Sequence, residues 1–207
     1  MELELRDGTP VLIRPIVPED KERLRRGFRR LSAQSKLRRF GAPIRDLSAT
    51  QLRYLTEIDY VHHMAWIALD PDNPESTSLG VARYVQLLDD PEVAEAAVVV
   101  ADTHQGRGLG SILLGMLGVA ASTNGIRKFR AYVVTDNRPM LEILRDLGGH
   151  VELEEPGLYR VDLQIPADPE DLPDTPTGRV FKALAKRVLP PLAVLRRTVV
   201  AGRLRSG

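Results

Sequence analysis

Three glycines, Gly106, Gly108 and Gly110, occupy alternate positions in "HQGRGLGSILLGML", between a β-branched run and an apolar helical pattern. Glycine lowers helix propensity and frees the backbone. The chain therefore loosens itself where a helix must begin. A helix start carries unpaired N–H groups and the positive end of the helix dipole. Bare backbone at that point suits the close approach of an anion.

The remaining elements build a mixed sheet around this junction. Residues 11–17 predict a strand, and Pro18, Glu19 and Asp20 open a helix with acids at its positive end. Ser48 is placed to cap the helix "ATQLRYL". Residues 64–70, 79–88 and 92–102 predict three strands in succession. The glycine segment and a helix to about Ser122 follow, then a strand over 128–134. Residues 137–149 predict a helix capped at Asn137 and ended by glycines. "HVELEE" and "LYRVDLQI" form a last strand pair around "PG". This order gives an α/β (α+β) fold with a mixed sheet, not the regular alternation of a doubly wound one. The domain spans residues 1–165. Residues 166–178, rich in proline and acid, form a linker, and 179–207 a basic amphipathic helical tail.

Composition narrows the chemistry. At 207 residues, 43% hydrophobic and 28% charged, the chain is an ordinary soluble type. It lacks an apolar run of ~18–20 residues for a membrane span. The charged N-terminus lacks a signal-peptide core, so a cytoplasmic location is expected. Without cysteine there is no disulfide, no cysteine–zinc site and no cysteinyl-acyl intermediate. His62, His63, His104 and His150 fit no zinc spacing, and no metal is expected. The net charge of +1 hides a basic tail: eight Lys/Arg and no acid follow Gly178. That tail could touch an anionic membrane, dock on the domain or meet a neighbouring subunit.

Two phosphate-loop readings of the glycine segment fail. A P-loop needs Lys-Ser/Thr after its last glycine, and Ser111-Ile112 stands there. A dinucleotide fingerprint needs a third glycine where Ser111 lies and an acid about 20 residues on, which is missing. The pattern that fits is Gln-x-x-Gly-x-Gly, at Gln105, Gly108 and Gly110. It resembles the pyrophosphate-binding signature of the GNAT superfamily of acyl-CoA-dependent N-acyltransferases. The segment "LSAQSKLRRFGAPIRDLSATQLRYLTEIDYVHHMAWIA" is similar to the GNAT domain of bacterial protein-lysine acetyltransferases that modify acyl-CoA synthetases.

The resemblance implies a GNAT fold and an acyl-CoA, acetyl-CoA first, as co-substrate. It implies coenzyme contacts at Val98, Val100, Gln105, Gly106, Arg107, Gly108, Gly110, Ser111 and Asn137, with a Val98–Val100 N–H as oxyanion donor. The glycine that the signature leaves free, Gly106, is the least diagnostic. Asn137 is equally a plain helix cap. Where many relatives carry a tyrosine acid for the leaving thiolate, Leu144 stands here.

Acyl transfer to an amine needs a proton acceptor. Glu95, in "VAEAAVVV", is the candidate base, with Glu92 a weaker one near the turn. A carboxylate against an apolar strand surface holds its proton more tightly; the competing reading has Glu95 facing solvent beside the splay. The acceptor is expected to be a protein lysine, with an acyl-CoA synthetase as a candidate partner. A small-molecule amine and a non-catalytic acyl-CoA sensor are the alternatives. Asp59, Tyr60 and His63 either line the acceptor side or lock a helix onto the first central strand. Residues 21–39 hold nine Lys/Arg against one acid, read as a solvated helix face in preference to a nucleic-acid surface, with some arginines able to attract the 3′-phosphate of coenzyme A or an acidic protein partner.

Overall fold

The computed structural model describes residues 1–41, 44–73 and 75–187. Its eight strands are β1 (Glu2–Glu4), β2 (Pro10–Pro15), β3 (His63–Leu69), β4 (Gly80–Gln86), β5 (Val93–Val100), β6 (Lys128–Val134), β7 (His150–Glu155) and β8 (Leu158–Gln164). They form one sheet in the order β1-β2-β3-β4-β5-β6-β8-β7. Every pair is antiparallel except β5 with β6. Five helices are α1 (Lys21–Arg30), α2 (Ala33–Phe40), α3 (Ala49–Thr56), α4 (Leu109–Thr123) and α5 (Arg138–Asp146). A sixth, α6, covers residues 176–187.

Helices cover both faces of the sheet. One face packs Trp66, Ala82, Ala94 and Ala96 against α4, α5 and α6. The other packs Ala65, Ile67 and Val81 against Leu24 and Phe28 of α1 and Leu52 and Leu55 of α3. The expected mixed sheet is present, with one strand that the sequence reading did not assign. β1 pairs with β2, and its Leu3 is buried between exposed Glu2 and Glu4. Ser48 caps α3 as expected, in a capping box: Ser48 Oγ accepts from Gln51 N and Gln51 Oε1 from Ser48 N.

The basic segment is divided at Ser32, whose Oγ accepts from Ser35 N to start α2. Much of its charge is neutralised locally. Lys21 pairs with Glu57, Arg25 with Glu22, Arg29 with Asp46 and Arg38 with Asp136.

α4 is buried on more than one face. Its burial extends round the helix, because the sheet covers one side and α6 the other. Gly115 makes room for α6: a Cβ there would stand 2.7 Å from Leu184 Cδ1 and 3.1 Å from Phe181. Phe181, Leu184 and Ala185 are buried there. The end of α5 holds this junction: Thr175, just before α6, donates Oγ1 to Asp146 O, and Thr177, in the first turn of α6, donates Oγ1 to Asp146 Oδ2, so the helix begins within the stretch read as linker. Pro190-Pro191 and the second half of the tail lie outside the described residues. No helix among the described residues is long and apolar enough to cross a membrane.

The loop before β3 is fixed by one carboxylate. Asp59 Oδ1 accepts from the N–H groups of Val61, His62 and His63, each at 2.9 Å. Tyr60, at φ 63°, donates its hydroxyl to Ile16 O. Both residues lock the loop, the structural one of their two expected roles. Burial pushes the Asp59 carboxyl up, but the three N–H donors and His62 outweigh it and hold it at about 2, from 3.8. A depressed folded-state value contributes stability above pH 4, lost as pH falls toward 2. Asp59→Ala should cost about 2 kcal/mol at pH 7 and flatten the acid dependence between pH 4 and 2. Urea unfolding across that range measures both.

Candidate active site

β5 and β6 pair only at Val93–Lys128, Ala94–Phe129 and Glu95–Arg130, then separate. β5 continues to Val100, fully paired with β4 on its other side. Ala101 N donates to Leu79 O, and Val93 O accepts from Leu87 N, both toward β4. Main-chain direction alternates along a strand, so beyond the last paired residue Val98 and Val100 aim their main-chain groups into the opened wedge, with Val100 O taken by Gln105 Nε2. Buried backbone groups need partners, and this edge presents a row of them to whatever enters.

The loop after β5 closes the wedge. Gly106 (φ 74°) and Gly108 (φ 91°) adopt the left-handed conformation that disfavours a side chain. Gly110 does not, and a Cβ there would meet only Val100 and Ile143 at ordinary contact distances, 3.8 and 3.9 Å. Backbone geometry thus favours glycine at both Gly106 and Gly108, a reason for Gly106 that is independent of the signature. Gly108 is the N-cap of α4 and offers no side-chain cap. Ile112 N reaches Gly108 O, so the N–H groups of Leu109, Gly110 and Ser111 form the open first turn. With the dipole of this 15-residue helix behind them, they suit a phosphate.

A cavity of about 270 Å³ joins wedge and helix start. Its lining includes Val98, Val99, Val100, Gln105, Gly106, Gly108, Gly110, Ser111 and Asn137, together with Ser35, Arg6, Arg38 and Arg39. Asn137 sits at the N-cap of α5 yet makes no side-chain cap hydrogen bond, which leaves its amide facing the cavity. Gln105 Nε2 donates to Val100 O at 3.1 Å and Ser35 Oγ at 3.2 Å. It braces the end of β5 against α2. α2 itself bridges the wedge: Ser32 and Ser35 donate to Asp102, while Gln34 and Arg38 donate to Asp136.

The GNAT acetyltransferase domain matches residues 11–150, more than half of the chain. The chain belongs to the GNAT acetyltransferase family. It is 34% identical over 168 residues to acetyltransferase Pat of Mycolicibacterium smegmatis, covering 79% of this chain and 48% of that protein. The chain thus spans about half the length of that relative. Its fold matches the GNAT domain of S. lividans PAT with TM-score 0.72 and 31% identity, over 79% of this chain and 96% of that one. It also matches yncA of Salmonella typhimurium, solved with its cofactor acetyl-CoA, with TM-score 0.59 and 18% identity, over 79% and 98% of the chains. At that identity the likeness concerns the fold.

The GNAT site differs from its sequence-based outline in two side chains, Arg107 and Glu95. Arg107 pairs with Asp7 Oδ2 at 3.3 Å and does not line the cavity. Its backbone O holds Arg6 N at 3.1 Å, and Arg6 lines the cavity beside Gly108 instead. Glu95 is exposed on the β5 face toward α1–α3, so the apolar surroundings expected of it are not found; it stands beside the splay. Glu92, also exposed, lies at the turn before β5, where its O accepts from Arg127 and Lys128. Arg38 and Arg39 come from the basic segment whose arginines the sequence offered to the coenzyme 3′-phosphate, without singling out which. Arg6 and Ser35 were not legible as site residues, because only the tertiary fold brings them to the glycine loop. No cluster of three or more metal-ligating side chains occurs among the described residues.

Behind Glu95 lies a cationic group of residues. Arg83 of β4, 5% exposed, donates to His63 Nε2 at 2.9 Å and Leu55 O at 3.1 Å. Burial and the neighbouring Arg39 push its guanidinium down to about 9, so it remains charged at neutral pH. Burial and Arg83 push His63 down to about 4, which keeps it the neutral acceptor. Tyr54 packs on His63, ring centroids 5.0 Å apart.

Gly108 and Gly110 separate conformation from space. Gly108→Ala should cost about 1–2 kcal/mol of stability and weaken coenzyme A binding. Gly110→Ala should leave the melting temperature nearly unchanged yet weaken coenzyme A binding. Thermal melts and calorimetric titration distinguish them.

Proposed function

We propose that this GNAT chain transfers an acyl group, acetyl first, from acyl-CoA to a protein lysine, with Glu95 as general base. The observation that carries the reading is the place of Glu95: it is the last β5 residue paired with β6, at the apex of the wedge, and exposed. The main-chain donors of Val98 and Val100 follow at three and five residues. Three residues of strand span roughly 10 Å, a distance that the Glu95 side chain, the incoming amine and one water can bridge. An exposed base at the closed end of the wedge is open to an amine arriving from the α1–α3 face.

The chemistry is direct. Glu95 takes a proton from the lysine ammonium, through water. The neutral amine attacks the thioester carbon, and the carbonyl oxygen gains negative charge facing the Val98 and Val100 N–H groups. Collapse breaks the C–S bond and releases the thiolate; the attacking nitrogen loses its second proton to solvent. Leu144 is buried and has no acid to offer. A thiol of ordinary acidity, with a pKa of about 8.5, leaves without one. The glycine loop, the first turn of α4, Arg6 and Asn137 would hold the coenzyme. A lysine acceptor is supported by the likeness to acetyltransferase Pat and to PAT, and an acyl-CoA synthetase is the first protein to try.

Glu95→Gln should lower kcat by about 10²–10⁴-fold while coenzyme A affinity stays within about twofold. Assays with acetyl-CoA against candidate proteins and a panel of small amines check the acceptor. Turnover of amines alone would move the reading to a small-molecule acetyltransferase. Unchanged kcat in the variant would remove Glu95 from the mechanism.

A further inference from the structure

Arg39 and Arg83 carry charges that the fold does not neutralise. Among the described residues neither has a carboxylate within ion-pair distance, whereas Lys21, Arg23, Arg25, Arg29 and Arg38 each have one. Both hydrogen bonds of Arg83 go to neutral acceptors, the His63 ring and the Leu55 carbonyl. Arg39, in the last turn of α2, rests its guanidinium 4.9 Å from the Phe40 ring centroid. Arg83 is buried and Arg39 half-buried; holding like charges together out of water is costly, and a counter-charge is the ordinary remedy. Glu95 is close enough to act on Arg39 electrostatically but forms no ion pair with it.

The space beside them has an opening and a size. Arg39 and Val99 line the main cavity, and both also line a second, smaller one of about 40 Å³. The second cavity reaches Arg83 between Phe28, Leu55 and Val81. A water molecule takes about 30 Å³, so a single small polar group fits. Two guanidiniums with free N–H donors in an otherwise apolar recess recognise a carboxylate, through charge-assisted and often bidentate bonds. Neutral His63 holds Arg83 in place, and the Tyr54 ring packs on His63.

We propose that Arg39 and Arg83 form a carboxylate pocket opening off the acyl-CoA cavity, filled by the distal carboxylate of a dicarboxylic acyl group such as succinyl. The proposal rests on acyl-CoA occupying the main cavity. A carboxylate of the same chemistry could instead come from an acidic side chain flanking the acceptor lysine, and the experiment separates the two sources.

The first arm titrates the full chain with butyryl-CoA and succinyl-CoA, four-carbon donors that differ in the distal carboxylate. Wild type should bind succinyl-CoA about tenfold or more tightly than butyryl-CoA. The ratio should fall to near one in Arg39→Gln and recover in part in Arg39→Lys. Arg83→Gln should act likewise; if it unfolds in a thermal melt, the Arg39 variants decide. The second arm titrates the coenzyme A-loaded protein with lysine peptides flanked by aspartate or asparagine. A preference for aspartate that Arg39→Gln abolishes, without a succinyl preference, assigns the pocket to the acceptor. Equal binding in both wild-type pairs overturns the pocket, as does a preference that survives both arginine variants. If neither acyl-CoA binds, the acyl-CoA reading itself fails and the donor assignment falls with it.

Discussion

The parting of β5 from β6 after Glu95 is the constraint on which the rest of this protein depends. Pairing stops after three residues on one side of β5 while the other side stays hydrogen-bonded to β4 along its whole length. The freed main-chain groups need partners, and no ninth strand can supply them without closing the wedge. The core underneath is continuous, because Ala94 and Ala96 still pack against α4. The sheet can therefore open on one edge of one strand without losing its hydrophobic support. The helix that starts at the mouth of the opening adds a first turn of N–H donors.

α2 answers the same opening from above. Its N-terminal serines bond to Asp102 at the end of β5, and Gln34 and Arg38 bond to Asp136 after β6. The helix thus joins the two sides of the wedge, and its last turn carries Arg39 into the cavity. Charge follows from this placement. A segment that is strongly basic as a string becomes, once folded, a set of ion pairs plus a few guanidiniums, Arg39 among them, that no carboxylate pairs among the described residues. The exposed pairs contribute little stability, each about 0–1 kcal/mol; their effect is to leave particular guanidiniums free.

The opposite face is organised by close packing. α4 has few polar side chains because the sheet and α6 enclose it, and Gly115 lets α6 approach. Burying Phe181 and Leu184 is worth roughly 1.5–3 kcal/mol each. The helix start that faces the cavity thus belongs to a helix held on two sides, which keeps its first-turn donors in a fixed direction.

Local signals made most of the fold legible in the sequence. Alternation and β-branched runs marked seven of the strands, Ser48 marked a capping box, and Gln105 with its glycines marked the turn into α4. β1 escaped because three residues are too short for a periodic signal. By itself the sequence also determined that a carboxylate sits in the strand preceding the glycine loop. The tertiary structure decided what surrounds that carboxylate. It exposed Glu95, turned Arg107 onto Asp7, placed Arg6 beside the glycine loop, and brought Arg39 and Arg83 together with no carboxylate at ion-pair distance among the described residues. Those outcomes depend on contacts between residues tens of positions apart, such as α2 with the loops after β5 and β6. The chain's local preferences carry no record of them, because what fixes them is which faces the sheet leaves open.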